Sequence, residues 1–298
     1  MTKLLQCIPN FSVGQDKAII EGLADIARSI PGCTLLDYSS DASHNRSVFT
    51  FVASPEAAIE AAVALAKYAA EKIDMTKHAG EHPRMGAMDV MPFVPVKNMT
   101  MDETVEIAKQ AGERIASEAG IPVFLYESAA TATNRQNLAT IRKGQFEGMA
   151  EKMQKAAWQP DFGPAQPHPT AGVVAVGARQ PLIAFNVNLS TNDVDIANNI
   201  AKMVRGSSGG LKYVKGIGIH IEERDMAQVS MNLVNYPVNA LYRVVELIRM
   251  EAARYGVSVI GTELIGLAPA RALIESAEYY LQIENFDYDK QVLENHLL

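Results

Sequence analysis

Apolar residues alternate along the chain between two spacings. Short runs at residues 4–8, 34–38 and 47–53 have the length and the β-branched or aromatic content of strands. Between the first two, Ile19, Ile20, Leu23 and Ile26 recur at helical spacing and predict a helix over 16–28. In SPEAAIEAAVALAKYAAEKI, Ser54 stands where an N-cap belongs and Pro55 at the first helical position. VMPFVPV, residues 90–96, reads as a further strand. Its prolines predict a place at a sheet edge, because a proline has no N–H to give to a ladder.

The order is thus β-α-β-β-α-β, a split βαβ arrangement, extended by a helix over 102–119 and a strand over 123–126. The same order returns from Leu182: a strand, a helix over 194–204, strands over 214–222 and 226–234, a helix over 238–255 and the run VSVIGTELIG. A last helix covers 269–282, and the residues themselves do not repeat. The fold class is α/β (α+β), with two subdomains, 1–178 and 179–298, each a ferredoxin-like sheet with helices packed on it. Between the two sets of elements, WQPDFGPAQPHPTAG holds four prolines in fifteen residues and marks the natural boundary. Trp158 and Phe162 in that segment predict a linker pinned against protein or ligand.

The 298 residues, 48% apolar and 20% charged, suffice for one large core or two medium ones. A net charge of -7 argues against a nucleic-acid or anionic-membrane surface, so any anionic ligand has to meet local positive charge. The N-terminal residues contain no apolar signal segment and no run reaches the ~18 apolar residues of a membrane span. Cys7 and Cys33 are too few for a disulfide framework, and a reducing cytoplasm is the expected setting.

Three polar segments could carry chemistry. The loop KHAGEHPRMGAMD, from Lys77 to Asp89, sets His82 among Glu81, Lys77 and Arg84. Its H-x-x-E-H spacing would suit zinc on a helix, but Gly80 and Pro83 both oppose helical backbone, so a loop without metal is expected. The segment SSDASHNRSVFTF gathers Asp41, His44 and Arg46 at a β-β connection, where Arg46 could hold a carboxylate by a two-pronged contact or the group could simply cap the turn. Two glycine-containing stretches could let a ligand approach the backbone. One is Gly163, Pro164, Ala165, Gln166, Pro167, His168, Pro169, Thr170, Ala171 and Gly172; the other is Gly209, Gly210, Leu211, Lys212, Tyr213, Val214, Lys215, Gly216, Ile217 and Gly218. Neither has the form of a dinucleotide or P-loop fingerprint.

The ordered combination CIPNFSVG, HNRSVFTFV, KHAGEHPRMGAMDVMPFVPV, WQPDFGP, GARQPLIAFNVNL and VKGIG…AQVSMNL resembles the glutamate formiminotransferase family, from Leu4 to about Leu267. The resemblance implies transfer of a formimino group from N-formiminoglutamate to N5 of tetrahydrofolate, releasing glutamate, by a homodimer of two-subdomain chains without metal. Tetrahydrofolate, as folate polyglutamate, would be a co-substrate. The resemblance also implies that His82 is the catalytic histidine and that stretches 163–172 and 209–218 contact folate. An imidazole near its ordinary pKa of about 6.5 can both take and return a proton in such a transfer. Asp41, His44, Arg46, Glu81 and Arg84 are candidates for holding the donor. Many family members carry an acid at position 39, where this chain has Ser39. Formyl transfer from N-formylglutamate, or folate binding without turnover, are the alternative readings. The resemblance is to the formiminotransferase domain without the fused cyclodeaminase domain that mammalian relatives carry, so any downstream deamination is expected to need another protein.

Overall fold

A computed structural model describes residues 2–296, so Met1 and Leu298, the outer bounds of the two predicted subdomains, lie outside the described residues. The chain divides into two compact units, Met1–Arg179 and Gln180–Leu298.

In the first unit, β1 (Leu4–Cys7) and β2 (Asn10–Phe11) are two pieces of one interrupted strand. They lie between β4 (Arg46–Ala53) and β5 (Met88–Lys97), with β3 (Cys33–Asp41) outside β4, and all these pairings are antiparallel. With α1 (Lys17–Ser29) and α2 (Pro55–Lys72), they complete the predicted β-α-β-β-α-β order. After α3 (Met101–Ala119), β6 (Val123–Glu127) and β7 (Val174–Ala178) extend the sheet in parallel with β5 to seven strands.

Helices α1, α2 and α3 cover one face. Asp16 caps α1 by accepting from the N–H groups of Ala18 and Ile19, and Ser54 caps α2 as its position predicted. Thr100 and Glu103 form a capping box on α3. α2 packs against both α1 and α3, and its buried Ala57, Ala58, Ala61, Ala62, Ala66 and Ala69 let the helices close on one another and on the sheet. On the opposite face, α4 (Leu138–Arg142) and α5 (Gln145–Met153) cover only the parallel side, where Ile141, Met149 and Met153 bury Val90, Phe124 and Ala175.

Two expectations need correction. β5 is not at an edge: it is paired on both sides, to β1 and β2 on one and to β7 on the other. Pro92 sits opposite the break at Ile8–Pro9, where Ile8 N–H donates to its carbonyl at 3.3 Å. The carbonyl of Ile8 accepts the Asn10 side-chain amide at 3.1 Å instead of an N–H that Pro92 lacks. Pro95 lies beyond Phe93, the last residue matched to β7. The proline-rich segment is also no boundary, because the chain returns from it into the first sheet as β7. That strand went unread although VVAVGA is an apolar run of strand length, and its five residues are all buried. The predicted pinning of the segment has a definite form. Asp161 accepts Leu125 N–H at 2.8 Å, Arg135 Nη1 at 2.8 Å and the Thr131 hydroxyl, while Arg135 Nη2 reaches the carbonyl of Gln159.

The second unit repeats the order on its own. β8 (Ile183–Leu189), α6 (Val194–Val204), β9 (Val214–Ile221), β10 (Met226–Leu233), α7 (Leu241–Ala253) and β11 (Val259–Ile265) form an antiparallel sheet in the order β11-β8-β10-β9. This matches β5-β1-β4-β3 of the first unit, position for position. Its core unites Val187, Val229 and Leu233 with Ile200, Val244 and Ile248, and α8 (Ala270–Leu281) packs against α7.

Asp161→Ala leaves a buried guanidinium unpaired and is expected to cost roughly 3–5 kcal/mol. Urea denaturation checks the cost, and the fluorescence of Trp158, the one tryptophan, reports release of the segment. A loss below about 1 kcal/mol with unchanged fluorescence would contradict this account of the pinning.

Candidate active site

The loop between α2 and β5 begins with a short 3-10 turn (Met75–Lys77) and is not helical from His78 to Ala87, as Gly80 and Pro83 predicted. It is laid on the β3–β4 hairpin by backbone contacts. Glu81 N–H donates to Ser43 O at 3.3 Å, and a Cβ on Gly80 would lie 2.5 Å from His44 O. Asn45 is the hub of this contact. It takes φ +46, a left-handed conformation that asparagine tolerates better than most residues. Its side chain accepts Gly14 N–H at 2.8 Å and donates to Ala79 O at 3.0 Å, and its carbonyl faces His78 Nε2 at 3.0 Å.

On the other side the loop meets β7 and the stretch 163–172. Ala87 N–H donates to Ala171 O at 2.9 Å and Val173 N–H to Met85 O at 3.1 Å. Gly86 and Gly172 form a bridge at which a Cβ on either would fall 2.0 to 2.3 Å from the other segment's carbonyls, so glycine is required at both. Stretch 163–172 folds on itself: His168 and Gly172 exchange backbone hydrogen bonds, and His168 Nδ1 accepts from Ala171 N–H at 3.0 Å. Ala165, Gln166, Pro167, His168 and Pro169 line a cavity of about 540 Å³ together with Phe146, Glu147, Met153 and Gln159.

His82 lies half-buried in a small recess with Phe11, Ser12, His44, Asn45, Arg46, His78, Arg84 and Asp89. Arg46 Nη1 lies 3.0 Å from His82 Nε2. A guanidinium can only donate, so Nε2 is the acceptor, and neutral His82 carries its proton on Nδ1. Burial, then the positive charges of Arg46 and Arg142, with His44 and His78 behind them, push the His82 pKa down to about 4. This departs from the ordinary value assumed from sequence. At neutral pH the imidazole is a free base.

The remaining candidates divide sharply. Arg84, buried, spends all five N–H donors inside the protein: on His78 Nδ1 at 3.1 Å, His78 O at 3.3 Å, Gln145 Oε1 at 2.9 Å, and Glu147 at 3.0 and 2.6 Å. It therefore has no donor left for a ligand. By donating to His78 Nδ1 it fixes the proton of neutral His78 on Nε2, which gives it to Asn45 O. Asp41 and His44 pair with each other on the hairpin, with His44 Nδ1 at 3.1 Å from the carboxylate, and hydrogen bonds from His44 hold the Asp41 pKa low. The His44 ring stands edge-on to His82 at 6.4 Å. Glu81 is exposed, as is Ser39, which pairs with Val48 on the outer strand. Stretch 209–218 lies in the second unit. There Gly210 and Gly218 allow the turn and β9 to approach α6, Tyr213 N–H donates to Asn239, and Lys215 is exposed.

Sequence reasoning missed Asp89 and Arg142. Asp89, in β5, is buried and accepts Met85 N–H at 2.8 Å and Arg142 Nε at 2.8 Å, with Arg142 Nη2 on the same oxygen. Burial pushes its pKa up, which Arg142 and the Met85 N–H oppose. Arg142 ends α4, 53 residues away in sequence, and no local pattern announces the pair. Among the described residues, no group of three or more His, Cys, Asp or Glu could hold a metal ion, and no helix is long and apolar enough to cross a membrane.

Residues 4–179 match the formiminotransferase domain, N-terminal subdomain, and residues 184–295 match the formiminotransferase domain. The chain is 65% identical over its whole length to the full-length glutamate formimidoyltransferase of Streptococcus pyogenes. It is 46% identical to that of Thermoplasma acidophilum, with 95% of this chain and 94% of the relative covered. The formimidoyltransferase-cyclodeaminase of Dictyostelium discoideum is 47% identical over 96% of this chain, which spans 54% of that protein. The chain belongs to the formiminotransferase family.

Proposed function

We propose that this protein is a glutamate formimidoyltransferase, moving the formimino group of N-formimino-L-glutamate to N5 of tetrahydrofolate with release of glutamate. The full-length 65% identity to a protein of that name supports the reaction. The observation that carries the chemistry is a neutral imidazole, His82, held beside a guanidinium that no carboxylate of the described residues pairs with.

The reaction needs one base that becomes an acid. The N5 lone pair attacks the formimidoyl carbon, a C–N bond forms, and the C=N π electrons move onto the formimino nitrogen. N5 then loses its proton to His82 Nε2. The electron pair on the formimino nitrogen then returns to re-form C=N as the bond from carbon to the glutamate nitrogen breaks; that bond's pair leaves with the glutamate nitrogen, and His82 returns the proton there. Arg46 holds a donor carboxylate, the role for which Arg84 has no donors left. Arg84 instead positions the loop.

Stretches 163–172 and 209–218 are the proposed folate contacts, each in its own unit, and residues 1–178 form the subdomain that carries the imidazole. The 540 Å³ cavity beside 163–172 is of a size for a drug-sized ligand. It shares Glu147 with the Arg84 network of the His82 loop. We further propose a homodimer, supported by exposed Leu273, Leu281 and Ile283 on and after α8. A cytoplasmic setting is supported by two free thiols.

His82→Ala is expected to lower formimino transfer by ~100-fold or more with tetrahydrofolate binding retained. Transfer unchanged in that variant would end the assignment of the base. The pH profile gives a second check. The working base must be unprotonated, and its pKa in the free enzyme is about 4. kcat/KM should therefore hold its value as pH falls through 6.5 and decline only towards 4. A limb at 6.5 would mean an unperturbed imidazole.

A further inference from the structure

Arg46 is the one feature of the recess that the folded chain leaves electrically unresolved. It is half-buried, its pKa is pulled below the ordinary arginine value by burial and by Arg142, and no carboxylate of the described residues pairs with it. Both nearby carboxylates are taken. Asp89 gives its oxygens to Arg142 and to Met85 N–H, and Asp41 gives its own to His44. Among the described residues, the one hydrogen-bond partner of the Arg46 guanidinium is His82 Nε2, at 3.0 Å. That contact occupies the lone pair a base needs. A partly desolvated cation placed so is stabilised by an arriving anion far more than a solvated one would be.

We propose that Arg46 is a carboxylate-operated latch on His82: a carboxylate of the amino-acid donor draws the guanidinium off Nε2 and so frees the imidazole to take the proton from the attacking nitrogen. This rests on the transferase reading above and adds an order of events to it. The donor's carboxylate is then an activator of the base as well as a handle, so a donor lacking it fails in the proton transfer step and not in binding alone. Asp89 and Arg142 are positioning residues in this scheme. Arg142 occupies the carboxylate that would otherwise neutralise Arg46, and keeps it available. The charged and titratable groups acting on His82 are Arg46 from β4, Arg142 from α4, His44 from the hairpin and His78 from its own loop, with Asp41 and Asp89 acting on Arg46.

The test follows His82 by ¹⁵N NMR in the intact protein with labelled histidines, its signal assigned by loss in His82→Gln. In the unliganded protein Nε2 should stay unprotonated down to about pH 4. Saturating L-glutamate should move the titration up towards the ordinary imidazole value, about 6.5, whereas the diamide of glutamate, with neither carboxylate, should not. In Arg46→Gln the titration should lie above that of the unaltered protein without ligand, with burial and Arg142 still holding it down, and not respond to glutamate; Arg46→Lys, which keeps the charge, should keep the titration low and guards against a folding defect in the first variant. Glutamate that binds by calorimetry while leaving the His82 titration unmoved overturns the latch and leaves the transferase reading standing. Absence of formimino transfer by the unaltered protein would overturn that reading, and the latch with it.

Discussion

A guanidinium inside a protein must find acceptors for five N–H groups, and the way Arg84 does so organises the first unit around its active loop. Two donors hold His78, one at its ring and one at its carbonyl, which shapes the turn leading to His82. Three reach Gln145 and Glu147 at the start of α5, so the loop and the helix that borders the larger cavity cannot move independently. Through the fixed tautomer of His78 the same network continues to Asn45 and the β3–β4 hairpin. Loop, hairpin and helix thus converge on a single buried charge. Breaking it would leave an uncompensated ion in the interior, so this contact locks the site more firmly than any exposed ion pair could.

Much of the fold was legible because it rests on local rules. Ser54 and Pro55 announced the start of α2, the Ile19 to Ile26 spacing announced α1, and the β-α-β-β-α-β order announced both sheets, because a split βαβ unit has one compact way to close. The errors came where tertiary context overrode a local rule. Pro92 is tolerated inside the sheet only because β1 and β2 are interrupted opposite it and Asn10 supplies the missing donor. β7 was hidden because the proline-rich segment before it looked like the end of a domain, when Asp161 and Arg135 in fact fold it back.

The site was legible in its residues and not in their relations. Gly80, His82 and Pro83 in one loop identify a loop histidine. Its depressed basicity comes from burial, then from Arg46 and Arg142, and no spacing connects the last of these to it. The roles of the arginines were likewise beyond sequence. Arg46 and Arg84 are equally plausible carboxylate holders as letters in a string, and only the count of satisfied donors separates them.

That separation explains how one recess can use positive charge in two ways. Arg84 is saturated and buried, so it confers rigidity and adds no unpaired field. Arg46 is unsaturated and half-buried, so it confers attraction for an anion and strains the basicity of its neighbour. Asp89 decides which arginine is which on the β4 side, because a carboxylate fixed by Met85 N–H and Arg142 cannot also turn to Arg46. The cost of burying Asp89 is offset in part by Arg142 and the Met85 N–H, while Arg46 feels Asp89 and Asp41 only at a distance and pairs with neither. A half-buried cation with no directly paired carboxylate, beside a neutral base, is unfavourable in the protein alone. It becomes favourable when an acidic substrate arrives, and the recess is therefore complementary to the loaded state and not to itself.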